Sequence, residues 1–233
     1  MSVAPEWFPS DGGPIYAETP RILSESQFLI ETWNALSSLL IIAPAIYFLF
    51  QLRGKFRTNW FLALCIPLLV LGGTGSTLFH AFRSSPYLLD LDVWPTAILF
   101  LAVSTYFWAK ALKNWWAALG IMVAFFGATI AIFAYFPPVF QMNAAYLLRG
   151  LAFFVPVVIV LVRTKFLEAK FVFGGLIAFA LALTCRLIDH ETTSVLPMGT
   201  HFLWHAFTGL GGFWIAEYLL RVEAKENDEA FTT

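Results

Sequence analysis

Residues 58–82 read TNWFLALCIPLLVLGGTGSTLFHAF, and this stretch decides the class of fold. It contains no lysine, arginine, aspartate or glutamate, and it is longer than the roughly 20 residues that a helix needs to cross a bilayer. It nevertheless ends close to His80, one of only four histidines in the chain. An imidazole in such a segment is costly unless it has a partner or a function.

Apolar stretches of this kind recur along the chain. The sequence is 59% hydrophobic and 12% charged, with a mean hydropathy of +0.74, whereas about 25% of a soluble domain is charged. We therefore predict an all-α integral membrane protein, a seven-helix bundle forming one domain over 28–221. A polar N-terminal segment (1–27) precedes it and a cytoplasmic tail (222–233) follows. The seven predicted spans are 28–52, 58–82, 87–108, 114–136, 141–163, 171–189 and 199–221.

The distribution of basic residues predicts the orientation of the bundle. Ten of the 14 lysines and arginines lie at the ends of spans that share one side of the membrane: Arg53, Lys55, Arg57, Lys110, Lys113, Arg163, Lys165, Lys170, Arg221 and Lys225. Basic residues concentrate on the cytoplasmic side of membrane proteins. The C-terminus is therefore predicted to be cytoplasmic and the N-terminus to lie outside.

Composition also limits the partners. The net charge of −1 gives no reason to expect nucleic acid. Two cysteines, both in apolar segments, make neither a metal motif nor a disulfide framework. The bilayer is the one partner that composition predicts, and the oligomeric state is left open.

Polar residues from five predicted spans gather at the outer ends of those spans. They are Glu31, Asn34, His80, Asp90, Asp92, Asp189, His201 and His205. Such clustering at one membrane level predicts a functional site at the outer, non-cytoplasmic face. A transporter stays possible, although these residues do not form a path across the membrane.

Three of the clustered residues are histidines with metal-ligand spacing. His201 and His205 are four residues apart, so they share one helix face, and His80 would complete a set of three. Three protein ligands leave a fourth position open, which is typical of catalytic zinc, and zinc lowers the pKa of bound water to roughly 7. The alternative is a set of interfacial histidines with hydrogen-bond partners.

Other polar groups near the histidines have candidate roles. Ser76 precedes His80 by one helical turn and either acts in catalysis or packs among glycines. Asp90 and Asp92 are two residues apart, so one of them can be a general base while the other is solvated. Glu31, with Asn34 one turn later, either binds a second cation or ties span 1 to its neighbours.

These residues fall in four blocks that resemble a known family. The chain is similar to the alkaline ceramidases, within the superfamily of heptahelical membrane hydrolases that includes the adiponectin and progestin receptors. The blocks are ETWNALSS at 31–38, GTGSTLFH at 73–80, LLDLDVWP at 88–95 and HFLWHAFTGLG at 201–211.

The resemblance implies roles for individual residues. His80, His201 and His205 are similar to the zinc ligands of the family, and Ser76 to the serine beside the metal. The match to the catalytic aspartate is divided. Leu88-Leu89-Asp90 fits one family pattern, whereas Asp92-Val93-Trp94-Pro95 fits another, and we favour Asp92 because the proline fixes the register.

The implied function is zinc-dependent hydrolysis of the amide bond in ceramide or a related lipid amide. Animal members also bind Ca²⁺, and Glu31 matches a glutamate of that site, but residues 5–11 depart from the acidic cluster of those enzymes. Calcium binding is therefore left open. The competing hypothesis is a receptor or sensor of the same superfamily with a structural zinc and little or no turnover.

Overall fold

The computed structural model describes residues 9–22 and 28–232, without the side chains of 138, 139, 142, 143 and 227–232. Within these residues the chain forms seven helices and no β-strand. The helices are α1 (Thr32–Gln51), α2 (Trp60–Phe82), α3 (Pro86–Leu112), α4 (Trp115–Tyr135), α5 (Pro138–Arg163), α6 (Ala169–Leu187) and α7 (His201–Thr232).

Six of these helices, α1 to α6, are long and apolar enough to cross a membrane by length and composition. The chain thus has the architecture of a multi-pass helical membrane protein, as the hydropathy pattern predicts. In the described part of the chain, α7 is not apolar enough to be counted with these six helices. Its sequence includes His201, His205 and Glu217, which lower its mean hydropathy.

The helix bounds lie within four residues of the predicted span bounds, except at the end of α7. Span 1 is predicted from residue 28, but the backbone N–H groups of Ile30 and Glu31 donate to carbonyls at the end of α2, at 2.9 and 3.0 Å, so helix begins only at Thr32. α7 continues to Thr232 through most of the predicted tail. Residues 1–8 and 23–27 of the predicted N-terminal segment, and residue 233 of the tail, lie outside the described residues.

The chain divides into two compact units at boundaries that lie within α3 and α6, and the smaller unit comprises Ile98–Val172. Its core is built on Trp108, whose indole N–H donates to the backbone carbonyl of Ala152 at 3.0 Å. Asn114 caps α4 by accepting a hydrogen bond from the Ala117 N–H at 3.1 Å. Arg163 donates to the carbonyl of Ala111 in the same unit.

The larger unit comprises Met1–Ala97 and Phe173–Thr233, and it contains every predicted site residue. Two glycines allow its helices to approach closely. A Cβ atom added at Gly75 would lie 2.2 Å from the Leu91 carbonyl oxygen of α3. One added at Gly209 of α7 would lie 2.5 Å from the Leu40 carbonyl oxygen of α1. Small residues at such crossings permit backbone contact between membrane helices.

We expect Gly75→Ala to destabilise the protein, because the added methyl group meets backbone atoms of α3 that cannot rotate away. Overpacking of this kind costs about 1–3 kcal/mol, and thermal unfolding in detergent would measure it. Gly212→Ala is the matched control, since a Cβ atom at Gly212 meets nothing within 4 Å. Equal melting temperatures for the two variants would contradict this account of the α2–α3 crossing.

Candidate metal centre

The structure brings the three predicted histidine ligands together. His80 lies near the end of α2, while His201 is the first residue of α7 and His205 follows one turn later. Each ring is at most 2% exposed. The ring centroids are separated by 4.7 to 5.3 Å, and one nitrogen of each ring lies within 4.8 Å of the other two.

Two of the rings have their Nδ1 atoms held by hydrogen bonds. The Nδ1 atom of His80 lies 2.5 Å from a carboxylate oxygen of Glu31. The Nδ1 atom of His205 lies 3.1 Å from the backbone carbonyl oxygen of Asn34, with the hydroxyls of Ser37 and Ser38 at 2.9 and 3.2 Å. A carboxylate and a carbonyl only accept, so both Nδ1 atoms carry the proton and each Nε2 lone pair is free for a metal.

Glu31 is itself held by a buried guanidinium group. Arg83, at the end of α2, donates to the other carboxylate oxygen of Glu31, and the Thr19 hydroxyl donates to the same oxygen at 2.5 Å. Arg83 also donates twice to Asp11, at 2.7 and 3.0 Å. Arg83, Asp11 and Glu31 are each at most 1% exposed. Glu31 therefore ties α1 to α2 and orients His80.

The pairing of Asp11 and Glu31 with Arg83 bears on the calcium hypothesis. Burial alone would raise the pKa of Asp11, but hydrogen bonds from Arg83 and the Gly13 N–H, with the guanidinium charge, hold it below its usual range. Both carboxylates are thus already paired with the guanidinium cation of Arg83, and these two residues do not fit a calcium site. Residues 5–8 lie outside the described part of the chain.

The start of α7 is fixed by Asp189. One carboxylate oxygen accepts from the backbone N–H groups of Thr200 and His201, both at 2.8 Å, and the other accepts from the Ala17 N–H at 2.9 Å. Gly199 has a φ of +69°, and a Cβ atom there would lie 2.3 Å from the Asp189 carboxylate. Glycine is therefore required for the backbone to bring His201 to this position.

The remaining predicted residues separate into two groups. The Ser76 hydroxyl is buried, lies 3.0 Å from the Ser38 hydroxyl and hydrogen-bonds the carboxyl group of Asp92. Asp92 also lies within electrostatic range of His80 and of the Arg186 guanidinium. Asp90 is exposed and accepts a hydrogen bond from the Trp94 indole at 3.2 Å. The structure thus brings Asp92, and not Asp90, to the serine beside the histidines.

Two further residues that contact the histidines or hold their partners were not predicted as part of the site. Tyr16 stacks on His201, with ring centroids 3.9 Å apart. Arg83 is not among the predicted site residues, although it follows His80 by three positions at the end of an apolar span. That position is the one signal that pointed to a buried role, because a charge there needs a counterion.

The donor set fits a transition-metal ion. Three imidazoles with free nitrogens and no thiolate suit Zn²⁺, Cu²⁺, Fe²⁺ or Ni²⁺, and outer hydrogen bonds of the kind made by Glu31 and Asn34 are usual for metal-binding histidines. No second group of three such side chains is found in the described residues. The three histidines therefore have the geometry and the chemistry to hold a metal ion.

No protein-family model matches the sequence, and a search of curated proteins likewise finds no match.

We expect the purified protein to contain about one transition-metal ion per chain, and His205→Ala to lose it, because two imidazoles hold an ion far more weakly than three. Elemental analysis by mass spectrometry measures both. His190→Ala is the control, since the fourth histidine is exposed and pairs with the Ile15 carbonyl. Metal retained in His205→Ala, or absent from the wild-type protein, would contradict the assignment.

Proposed function

We propose that this protein is a zinc-dependent membrane amidohydrolase that cleaves a lipid amide, with ceramide as the reference substrate. The observation that carries the proposal is a three-histidine cluster beside a hydrogen-bonded serine–aspartate pair, Ser76 and Asp92. A purely structural metal site has no need of a carboxylate poised beside it with an adjacent hydroxyl. The resemblance of the four sequence blocks to the alkaline ceramidases supports the same activity.

Zinc, when bound by the three histidines, supplies a Lewis acid that polarises a carbonyl group and lowers the pKa of water. Asp92 is suited to the role of general base. It is half-buried, next to His80 and Ser76, where it can accept a proton from an attacking water and return it to the leaving amine. The sequence alone leaves Asp90 open for this role, but its exposed position and its bond to Trp94 favour Asp92.

Ser76 is suited to binding the substrate carbonyl. Its hydroxyl stands between the Ser38 hydroxyl, at 3.0 Å, and the Asp92 carboxyl group. Ser38 in turn lies 2.7 Å from the Asn34 carbonyl, to which it donates. Ser76 donates its proton to the Asp92 carboxylate, so when Asp92 takes up a proton from the attacking water, the Ser76 hydroxyl is released to donate to the carbonyl oxygen as negative charge develops there.

Asp92→Asn should lower hydrolysis of the susceptible lipid amide by about 10²–10⁴-fold, because a carboxamide cannot accept the proton. Ser76→Ala should lower it by about 10²–10³-fold. Turnover is measured by mass spectrometry on ceramide and on N-acyl amino-acid lipids, with metal content measured in the same samples.

Asp90→Asn is the matched control and should keep both metal and activity. A full metal complement in the wild-type protein with no hydrolysis of either lipid class would overturn the proposal and favour a receptor or sensor. Full activity in Asp92→Asn, with loss in Asp90→Asn, would reassign the base.

We further propose that all seven helices cross the membrane and that the site faces the non-cytoplasmic side. The distribution of lysine and arginine supports this orientation. α7 is less apolar than the other helices, but its 32 residues span roughly 48 Å at 1.5 Å per residue, more than a bilayer requires.

Seven crossings place the two termini on opposite sides of the membrane, whereas six would place them on the same side. In a bacterial inner membrane, green fluorescent protein fused after residue 233 should fluoresce and alkaline phosphatase fused there should be inactive. The same reporters fused before residue 1 should give the opposite result. Matching results at both ends would refute seven crossings.

A further inference from the structure

The three histidine rings are not held in the same way. His80 and His205 have their Nδ1 atoms fixed by Glu31 and by the Asn34 carbonyl. The Nδ1 atom of His201 is buried and has no hydrogen-bond partner among the described residues. Metal-binding histidines usually depend on such a bond to fix the plane of the ring. Something else has to orient His201.

The phenol ring of Tyr16 lies against His201. The two centroids are 3.9 Å apart and the planes differ by 24°, which is a stacked arrangement. The rings of Tyr16 and His80 are farther apart and tilted, with centroids separated by 5.2 Å and planes that differ by 55°. Tyr16 is itself buried, with 9% of its surface exposed. A stacked ring of this kind limits rotation of the imidazole about its Cβ–Cγ bond, because turning the imidazole would drive its edge into the phenol.

Tyr16 belongs to the N-terminal segment, and hydrogen bonds hold that segment both before and after Tyr16 in the sequence. Ala17, the next residue, donates its N–H to the Asp189 carboxylate that also accepts from the His201 N–H. The backbones that carry the two stacked rings are thus joined through one side chain. Upstream, Asp11 is held by Arg83 through two hydrogen bonds. The position of the phenol over the imidazole is therefore set by the fold.

We propose that Tyr16 is the positioning residue of His201, fixing its imidazole plane for metal binding by ring stacking where the other two ligands rely on hydrogen bonds. The inference rests on the proposed metal site. It predicts that the ring of Tyr16 matters for the site and that its hydroxyl does not, because stacking requires only the aromatic face.

The test compares Tyr16→Phe with Tyr16→Leu in the full-length protein, using Co²⁺ as the probe. The visible absorption of bound Co²⁺ reports the geometry of its ligands, and competition with a chelator gives the Zn²⁺ affinity. Tyr16→Phe should keep the wild-type spectrum and affinity. Tyr16→Leu should alter the spectrum and weaken Zn²⁺ binding by roughly 10–100-fold, the usual effect of losing an outer partner of a ligand.

Tyr47→Leu is the matched control. It removes a tyrosine ring that contacts Phe48 and Phe213 at 5.1 and 5.0 Å, within the same unit, and whose hydroxyl bonds Glu217. We expect it to leave the Co²⁺ spectrum unchanged. If Tyr16→Leu is recovered only as aggregate, Tyr16→Met, whose flexible side chain adapts to an irregular gap without a ring, replaces it.

Each outcome has a separate meaning. A wild-type protein that binds neither Co²⁺ nor Zn²⁺ overturns the metal site and the proposed function with it. A wild-type protein that binds both, with an unchanged spectrum and affinity in Tyr16→Leu, overturns the role of Tyr16 alone. Equal loss in Tyr16→Phe and Tyr16→Leu overturns stacking and assigns the effect to the hydroxyl.

Discussion

The rest of the larger unit depends on the burial of one guanidinium group. Arg83 is at most 1% exposed, so its charge has to be compensated within the protein, and Asp11 and Glu31 provide the two carboxylates. Glu31 uses its second oxygen to hold His80. Compensation of the arginine charge and orientation of a metal ligand are thus performed by the same side chain, and neither can be changed without disturbing the other.

The helices were predictable because their apolar runs are long enough to cross a membrane and are separated by polar or proline-containing breaks. Errors arose where tertiary contacts override hydropathy. Residues 28–30 are apolar and read as the start of a helix, but the backbone of Ile30 and Glu31 pairs with the end of α2. α7 continues past residue 221 because Glu, Ala and Lys are strong helix formers even outside an apolar region. Hydropathy indicates which residues can lie in a bilayer, but it does not indicate which backbone hydrogen bonds each residue makes, and those bonds set the helix bounds.

The cluster of three histidines was predictable because histidines are rare in apolar spans and because a spacing of four places two on one helix face. The choice between Asp90 and Asp92 was not, because residues two apart differ in direction and the sequence does not say which direction faces the histidines. Tyr16 could not be found at all. It is one of seven tyrosines, and its contact with His201 joins positions far apart in the chain.

The N-terminal segment provides hydrogen-bond partners for backbone N–H groups at the helix ends beside this site. The first N–H groups of a helix have no partner within it. Glu18 accepts from the N–H groups of Trp33 and Asn34 at the start of α1, at 2.7 and 2.9 Å, and Asp189 does the same at the start of α7. Asp189 also accepts a hydrogen bond from the Ala17 N–H. The N-terminal segment, which provides the acceptor for the first N–H groups of α1, is therefore bonded to the side chain that accepts from the first N–H groups of α7. The ends of the two helices that carry Asn34 and His201 are therefore positioned together, and the segment is part of the site.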